Sequence, residues 1–304
     1  MTGSSIKSNF SSAGTCVEEA AARTFPVRDY DLEATLNSGQ AFRWQWRAGG
    51  WEGVIGSRWV RLRCGADRIT AETAEPVREW SWLAEYLQLG QDLAAVVAAF
   101  PDDEPMRAAV AACRGLRLLR QDPWECLASF ILSSTKQIVQ IRQIVACLCE
   151  RFGEQVIVPK NHEPVYSFPS VGRIAAAAEA ELRACKMGFR APNLRAAAHM
   201  IAAGAVDLDR VRVLPVGEAR EALMRLPGVG RKIADCVLLF GYGFQDAFPV
   251  DVWVMKALRR LYFPRRSVPL KRLLEFTASH FGPHAGYAQQ YLFHYARIHA
   301  KLRD

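Results

Sequence analysis

Hydrophobic and polar positions change their spacing partway along the chain. Between about Asp29 and Thr73 they alternate in short runs. Ala41 to Trp46 switches character residue by residue, Gly49-Gly50 reads as a turn, and Trp51–Ile55, Trp59–Arg63 and Arg68–Glu72 follow with glycines between them. Short alternating runs broken by turn residues predict an antiparallel sheet with one covered face. From about Glu75 the apolar residues recur at helical spacing instead. Asp122-Pro123 is a helix start, a capping carboxylate before a first-turn proline, and it opens Trp124–Ser134. Further helices are predicted over Ile138–Phe152, Ile174–Cys185, Ala191–Ala203, Glu218–Leu226, Arg231–Tyr242, Val252–Tyr262 and Ala285–Leu302. The pattern predicts an α+β protein: a loosely ordered tail over 1–24, a small antiparallel β-rich domain over 25–115, and a larger helical domain over 116–304 that carries a helix–hairpin–helix motif.

Composition narrows this frame only slightly. Half of the 304 residues are hydrophobic and 23% are charged, an ordinary globular balance. The 39 basic residues exceed the 31 acidic ones by 8, which favours a polyanionic partner without demanding one. The eight cysteines show no CxxC spacing. The nearest pair, Cys147 and Cys149, points to different faces of a helix. Neither a zinc site nor an iron–sulfur cluster nor a secreted disulfide framework is expected, and a reducing intracellular compartment fits best. No apolar run approaches the roughly 18 residues of a membrane span. The Ser- and Gly-rich start lacks the apolar stretch of a secretory signal.

The most informative segment is Leu226-Pro227-Gly228-Val229-Gly230-Arg231-Lys232, continued by Phe248-Pro249-Val250-Asp251. The first part reads as helix, tight turn, helix. Gly228 and Gly230 permit backbone conformations closed to other residues, and the amides of Gly228, Val229 and Gly230 face outward ahead of the next helix. Such amides hold an anion, and a DNA phosphate suits them, fixing register without reading sequence. A plain helix–turn–helix joint is the alternative. Lys232 falls in the first turn of the second helix, and Asp251 stands where the next helix needs its N-cap. Taken alone, a solvated lysine and a capping aspartate explain both.

Residues 226–253 taken together resemble the helix–hairpin–helix, Gly/Pro-rich loop and aspartate signature of a DNA glycosylase superfamily. The lysine at 232 is similar to that of its bifunctional glycosylase/lyase branch. Three more segments resemble one family within it, the 8-oxoguanine DNA glycosylases: Asn37-Ser38-Gly39-Gln40-Ala41-Phe42-Arg43-Trp44; Gly115 to Pro123 with Glu125-Cys126-Leu127 and Ser133-Ser134; and Gly286-Tyr287-Ala288-Gln289 with Phe293. The C-terminal four-cysteine cluster of endonuclease III relatives is absent from the sequence.

The resemblance implies excision of a flipped, oxidised purine from double-stranded DNA by a monomer, in the cytoplasm or nucleoid of a bacterium or in a nucleus. It makes Lys232 the nucleophile at the sugar C1′. An amine must shed its proton to attack, which a helix N-terminus, partial desolvation and neighbouring cations all favour. Asp251 becomes the stabiliser of positive charge on the sugar. Cys236, one helical turn after Lys232, sandwiches the base with Phe293. The Gly39 carbonyl accepts the N7–H that 8-oxoguanine has and guanine lacks, and Gln289 reads the Watson–Crick edge. Phe189 fills the gap in the base stack while Arg190 faces the orphaned base. Carbonyls of Met224, Leu226 and Val229 hold a monovalent cation, and no redox or organic cofactor is required. Read without the resemblance, Gly39 is a turn glycine, Gln289 a surface amide, and Cys236 and Phe293 core residues.

The chain departs from the family pattern at three places. Thr135-Lys136-Gln137 replaces an asparagine run, Gln140 stands where an arginine contacts the orphaned cytosine, and Trp253 replaces a histidine. The changes at Thr135 and Gln140 predict weak selectivity for cytosine opposite the lesion. Two other readings remain at this point: a related glycosylase for another damaged base, and a non-catalytic DNA-binding module.

Overall fold

A computed structural model describes residues 20–134, 136–264 and 268–298. Strands β1 (Ala20–Pro26), β2 (Gln45–Arg47), β3 (Gly50–Ile55), β4 (Arg58–Cys64) and β5 (Arg68–Val77) form one antiparallel sheet in the order β1-β5-β4-β3-β2. The alternation along β5 buries Ile69, Ala71 and Thr73 and turns the residues between them outward. Residues 20–24, expected within a loose tail, are paired: Ala22 to Thr24 face Glu72 to Thr70 across the β1–β5 ladder. Residues 1–19 lie outside the described residues.

One expected strand is not a strand. Ala41–Trp44 is irregular, and a helix missed by the alternation, α1 (Leu32–Asn37), precedes it. Asp31 caps α1 by accepting the Ala34 N–H at 2.8 Å. The alternating character of Ala41–Trp44 has another cause: the segment runs along a seam between two cores. Phe42 points into the helical core and meets Phe130 edge-on at 5.5 Å, whereas Trp44 points into the sheet core and donates its indole N–H to Tyr86 Oη at 2.8 Å.

Helices α2 (Ser81–Tyr86), α3 (Leu93–Ala98) and α4 (Glu104–Ala112) lead from the sheet to the extended segment Gly115–Gln121. Helices α5 (Pro123–Leu132) and α6 (Ile138–Phe152) follow. Asp122 caps α5 as its sequence predicts, accepting the Glu125 N–H at 2.8 Å. A two-stranded hairpin, β6 (Gln155–Val156) and β7 (Val165–Tyr166), separates α6 from the next helices. The helix expected over Ile174–Cys185 is broken into α7 (Val171–Ala176), α8 (Glu179–Leu182) and a widened turn at Arg183–Met187, where Lys186 takes a positive φ.

After these come α9 (Arg190–Ala202), α10 (Leu208–Val211), α11 (Val216–Met224), α12 (Arg231–Val237), α13 (Val252–Tyr262), α14 (Leu270–His280) and α15 (Ala285–Ile298). The run expected as one helix to Tyr242 loosens after Val237 into a π-turn, Leu238–Tyr242. There the Phe240 carbonyl receives the Gln121 N–H at 2.8 Å, a bond from outside the helix that accompanies the lost regularity. No helix among the described residues is long and apolar enough to cross a membrane.

Candidate active site

The hairpin that carries the motif is α11, the turn Arg225–Gly230, and α12. Within the turn the Val229 N–H donates to the Leu226 carbonyl at 3.1 Å. Gly228 is required twice over: its φ is +80°, and an added Cβ would lie 2.9 Å from the Asn193 Cβ on α9. Asp235, buried on α12, is paired with Arg220 of α11 at 2.6 Å, which locks the two arms of the hairpin together. Burial raises the Asp235 pKa even though Arg220 and Arg231 pull it down.

Lys232 projects from the first turn of α12 into a cleft of 460 Å³. Its Nζ donates to the Ser133 hydroxyl at 3.3 Å and lies 5.1 Å from the centre of the Phe130 ring. Asp251 reaches the same cleft from the start of α13. Its Oδ1 accepts the Val254 N–H at 2.8 Å, so capping the helix also fixes the carboxylate. Cys236, one turn beyond Lys232, forms part of the wall. Burial pushes its thiol up to about 12, against the pull of the Lys232 charge, so the sulfur is neutral and polarizable at physiological pH.

The opposite wall comes from far away in sequence. Gly39 sits just after α1 at φ +82°, and an added Cβ would lie 2.7 Å from Ile138 Cδ1 and 3.5 Å from Phe293 Cε1. Gln289 and Phe293, one turn apart on α15, complete that wall. Gln289 is 4% exposed, and its Oε1 has no hydrogen-bond partner among the described residues. An orphaned buried amide oxygen costs stability unless something else pairs with it.

The loop bearing Gly39 is held by another of the segments that carried the resemblance, Gly115–Pro123. Gln40 donates to the Arg117 carbonyl at 2.8 Å and accepts the Leu119 N–H at 2.8 Å, while Gln121 donates to the Gln40 carbonyl at 2.7 Å. Gln290 of α15 donates to the Ser38 carbonyl at 3.1 Å. Three of the four segments that carried the resemblance are therefore one hydrogen-bonded unit, which supports the Gly39 and Gln289 wall of the cleft.

Six residues singled out in the sequence, Gly39, Lys232, Cys236, Asp251, Gln289 and Phe293, line this one cleft. Others fall elsewhere. Phe189 is 60% exposed at the tip of its loop, but Arg190 is 3% exposed, its guanidinium 4.2 Å over the Phe189 ring and donating to the Met187 carbonyl. The arginine expected to face the orphaned base is thus buried in this structure. Gln140 spends its side-chain oxygen on the N-terminus of α6, accepting the Gln137 N–H at 3.2 Å. Thr135 lies outside the described residues.

Several cleft residues went unassigned by sequence reasoning: Ser133, which holds the Lys232 amine; the aromatic floor of Phe130 and Phe240, stacked at 5.7 Å; and Lys136. Ser133 stood in a quoted motif, but a hydroxyl gives no pattern of its own. Trp253 lies at the rim, 38% exposed, with the Lys256 ammonium 5.7 Å from its ring centre. No group of three or more His, Cys, Asp or Glu side chains suited to a metal occurs among the described residues.

Comparison with known proteins decides the kinship. Residues 24–127 match the family model of the 8-oxoguanine DNA glycosylase N-terminal domain, and residues 128–283 match that of the HhH-GPD superfamily base excision DNA repair protein. A probable N-glycosylase/DNA lyase of Methanothermobacter thermautotrophicus is 32% identical, the match covering 90% of this chain and 95% of the relative. The chain belongs to the 8-oxoguanine DNA glycosylase family of the HhH-GPD superfamily.

Solved members of the family agree in shape as well. The Clostridium acetobutylicum 8-oxoguanine glycosylase/lyase, in complex with double-stranded DNA containing cytosine opposite 8-oxoguanine, superposes with a TM-score of 0.84 at 30% identity, covering 91% of this chain and 98% of that one. MBOgg1, in complex with a low-affinity DNA ligand, gives 0.86 at 31% identity over 93% and 98%. A 3-methyladenine DNA glycosylase of Archaeoglobus fulgidus, at 24% identity and 0.74, shares the fold.

Proposed function

We infer that this protein is a bifunctional DNA glycosylase and abasic-site lyase that removes 8-oxoguanine from duplex DNA in base excision repair. The observation that carries the reading is the convergence on one cleft of an amine, a carboxylate and a base-sized pair of walls contributed by residues between 39 and 293. Its volume of 460 Å³ lies within the range of sites that enclose a small molecule, and a base must leave the stack to enter it.

In this reading the neutral Lys232 amine attacks C1′ and the C1′–N9 bond breaks. The departing base takes up a proton, and the sugar ring opens to leave an imine between Lys232 and C1′. Loss of the C2′ proton then expels the 3′ phosphate and cuts the strand. Asp251, fixed by its own helix start, faces the positive charge that develops on the sugar. Ser133 keeps the amine over the cleft floor before the nucleotide arrives.

Neutral Cys236 and the Phe293 ring offer two apolar faces for the flipped purine. The Gln289 oxygen, buried without a partner, supports an amide that waits for the donors on the base edge. Gly39 supports the test for oxidation: an acceptor carbonyl there pairs with N7–H but meets a lone pair in guanine. The Val229 amide, expected to face outward, instead closes the turn onto the Leu226 carbonyl, so the amides of Gly228 and Gly230 are the ones left to grip a backbone phosphate. Carbonyls of Met224, Leu226 and Val229 would hold a monovalent cation that stiffens the hairpin. Met224 closes α11, and its carbonyl falls in the last helical turn, where following helical amides run out, which fits such a role.

Borohydride trapping on duplex DNA containing 8-oxoguanine, with Lys232→Gln as control, tests the function. A covalent adduct that disappears in the variant is expected. An absence of adduct with the wild-type protein would overturn the reading, and trapping only on a different lesion would reassign the substrate.

A further inference from the structure

The cleft holds a second primary amine. Lys136 lies in the link between α5 and α6, half-buried, and lines the same cavity as Lys232, Asp251 and Cys236. Ser133 joins the two residues: its hydroxyl accepts from Lys232 Nζ at 3.3 Å, and its carbonyl accepts the Lys136 backbone N–H at 3.2 Å, which anchors the Lys136 main chain beside the cleft. The Lys136 side chain has no ion pair or hydrogen bond among the described residues. The carboxylate lining the cleft, that of Asp251, spends one oxygen capping α13. Arg297, the other cation of the wall, is engaged with the Asn37 carbonyl and the Phe293 ring.

We propose that Lys136 is a second imine-forming residue, one that condenses with the aldehyde of an abasic deoxyribose held in the cleft. The inference rests on the reading that the cleft receives the extruded nucleotide. Once the base is gone, C1′ interconverts between hemiacetal and open aldehyde, and no leaving base has to be displaced. The nitrogen lone pair of neutral Lys136 forms the N–C1′ bond. The former carbonyl oxygen collects one proton from the new ammonium and one from solvent and departs as water, leaving the protonated imine. Removal of the C2′ proton by water then breaks the C3′–O bond, with the electron pair leaving on the 3′ phosphate. A water molecule hydrolyses the imine and restores the amine. Base excision itself stays with Lys232, because expelling a purine needs a fixed line of approach to C1′ beside the carboxylate at 251. An aldehyde carbon accepts an amine from either face.

The test uses the full chain and duplex DNA carrying a preformed abasic site, reduced with borohydride, with the adduct located by peptide mass mapping. Lys232→Gln is expected to keep trapping at roughly one-tenth to one-hundredth of the wild-type yield, with the adduct on Lys136. Lys136→Arg/Lys232→Gln retains the positive charge but has no imine-forming amine at either position. It is expected to bind a reduced abasic duplex as Lys232→Gln does while trapping falls at least a further tenfold or so. Loss of all trapping in Lys232→Gln that still binds, an adduct of that variant mapped to a residue other than Lys136, or trapping by Lys136→Arg/Lys232→Gln undiminished from that of Lys232→Gln would each overturn the proposal. Failure of the parent reading is separately visible, as a wild-type protein that forms no adduct on the 8-oxoguanine duplex.

Discussion

The two walls of the cleft are built in opposite ways. Lys232, Cys236 and Asp251 come from one stretch, α12 to the start of α13, and their placement follows from local geometry: one helical turn, one N-cap, one glycine turn. Gly39 lies about 250 residues before Gln289 and Phe293 in sequence, and hydrogen bonds through Gln40, Gln121 and Gln290 hold their wall in register. The wall proposed to carry out the bond change is local and stiff. The wall proposed to inspect the base is a long-range assembly, so changes there are expected to alter what is recognised more than whether chemistry occurs.

The sharpest way to break this division is at the proposed nucleophile. Lys232→Gln is expected to lower single-turnover excision of 8-oxoguanine by roughly 10⁴-fold or more while DNA binding persists. Binding lost in parallel would mean that Lys232 acts chiefly as a phosphate contact. Next comes Gly39→Ala. Its Cβ would collide with Ile138 and its φ of +82° penalises any side chain, so excision is expected to fall by about 100-fold and stability by about 1–2 kcal/mol, read by thermal melting. Unchanged excision there would remove Gly39 from the recognition wall.

Gln289→Met separates stability from recognition in the other direction. It removes an unpaired buried oxygen, so the free protein is expected to gain up to about 1 kcal/mol in urea unfolding, while excision falls about tenfold. A loss of stability would show that the amide is already satisfied in the free protein. Selectivity for the opposite base sharpens the comparison further. With Gln140 committed to the start of α6 and Arg190 tucked under Phe189, single-turnover excision opposite the four bases is expected to differ by less than about tenfold. A steep cytosine preference would show that DNA binding releases these residues.

The smallest effect on activity is expected at Glu52, outside both walls. Its buried carboxylate accepts from Arg61 at 2.8 Å and pairs with His162 at 2.9 Å. Burial pushes its pKa up, but the bonds from His162 and Arg61 together outweigh this and hold it below the ordinary value. A depressed folded pKa means that Glu52 contributes its full stability above the unfolded carboxylate pKa, and that the contribution is lost as pH falls through the folded value. Glu52→Gln should therefore cost about 1–3 kcal/mol near neutrality, converge with the wild type in acid, and leave excision intact. Curves that stay parallel through acid would rule out that linkage.

How much of this could be read from the sequence follows the same division. Asp122 and Asp251 as caps, α6 over Ile138–Phe152, α13 over Val252–Tyr262 and the hairpin turn were all legible, because capping, periodicity and glycine turns are local effects. The breaks at Arg183–Met187 and after Val237 were not, since only a tertiary bond such as Gln121 to Phe240 accounts for the second. Ala41–Trp44 looked like a strand because its side chains alternate, yet they alternate between two different cores.

By itself, then, the order of residues determined helix α12 with Lys232 in its first turn and the capping carboxylate of Asp251 that follows. Tertiary structure alone decided that Gly39 and α15 close over them, that Arg190 is buried while Phe189 is exposed, and that Lys136 shares the cleft with Lys232. The reason is physical: helix turns and caps act within a few residues, whereas pairing and burial between distant segments depend on which surfaces the whole fold brings together.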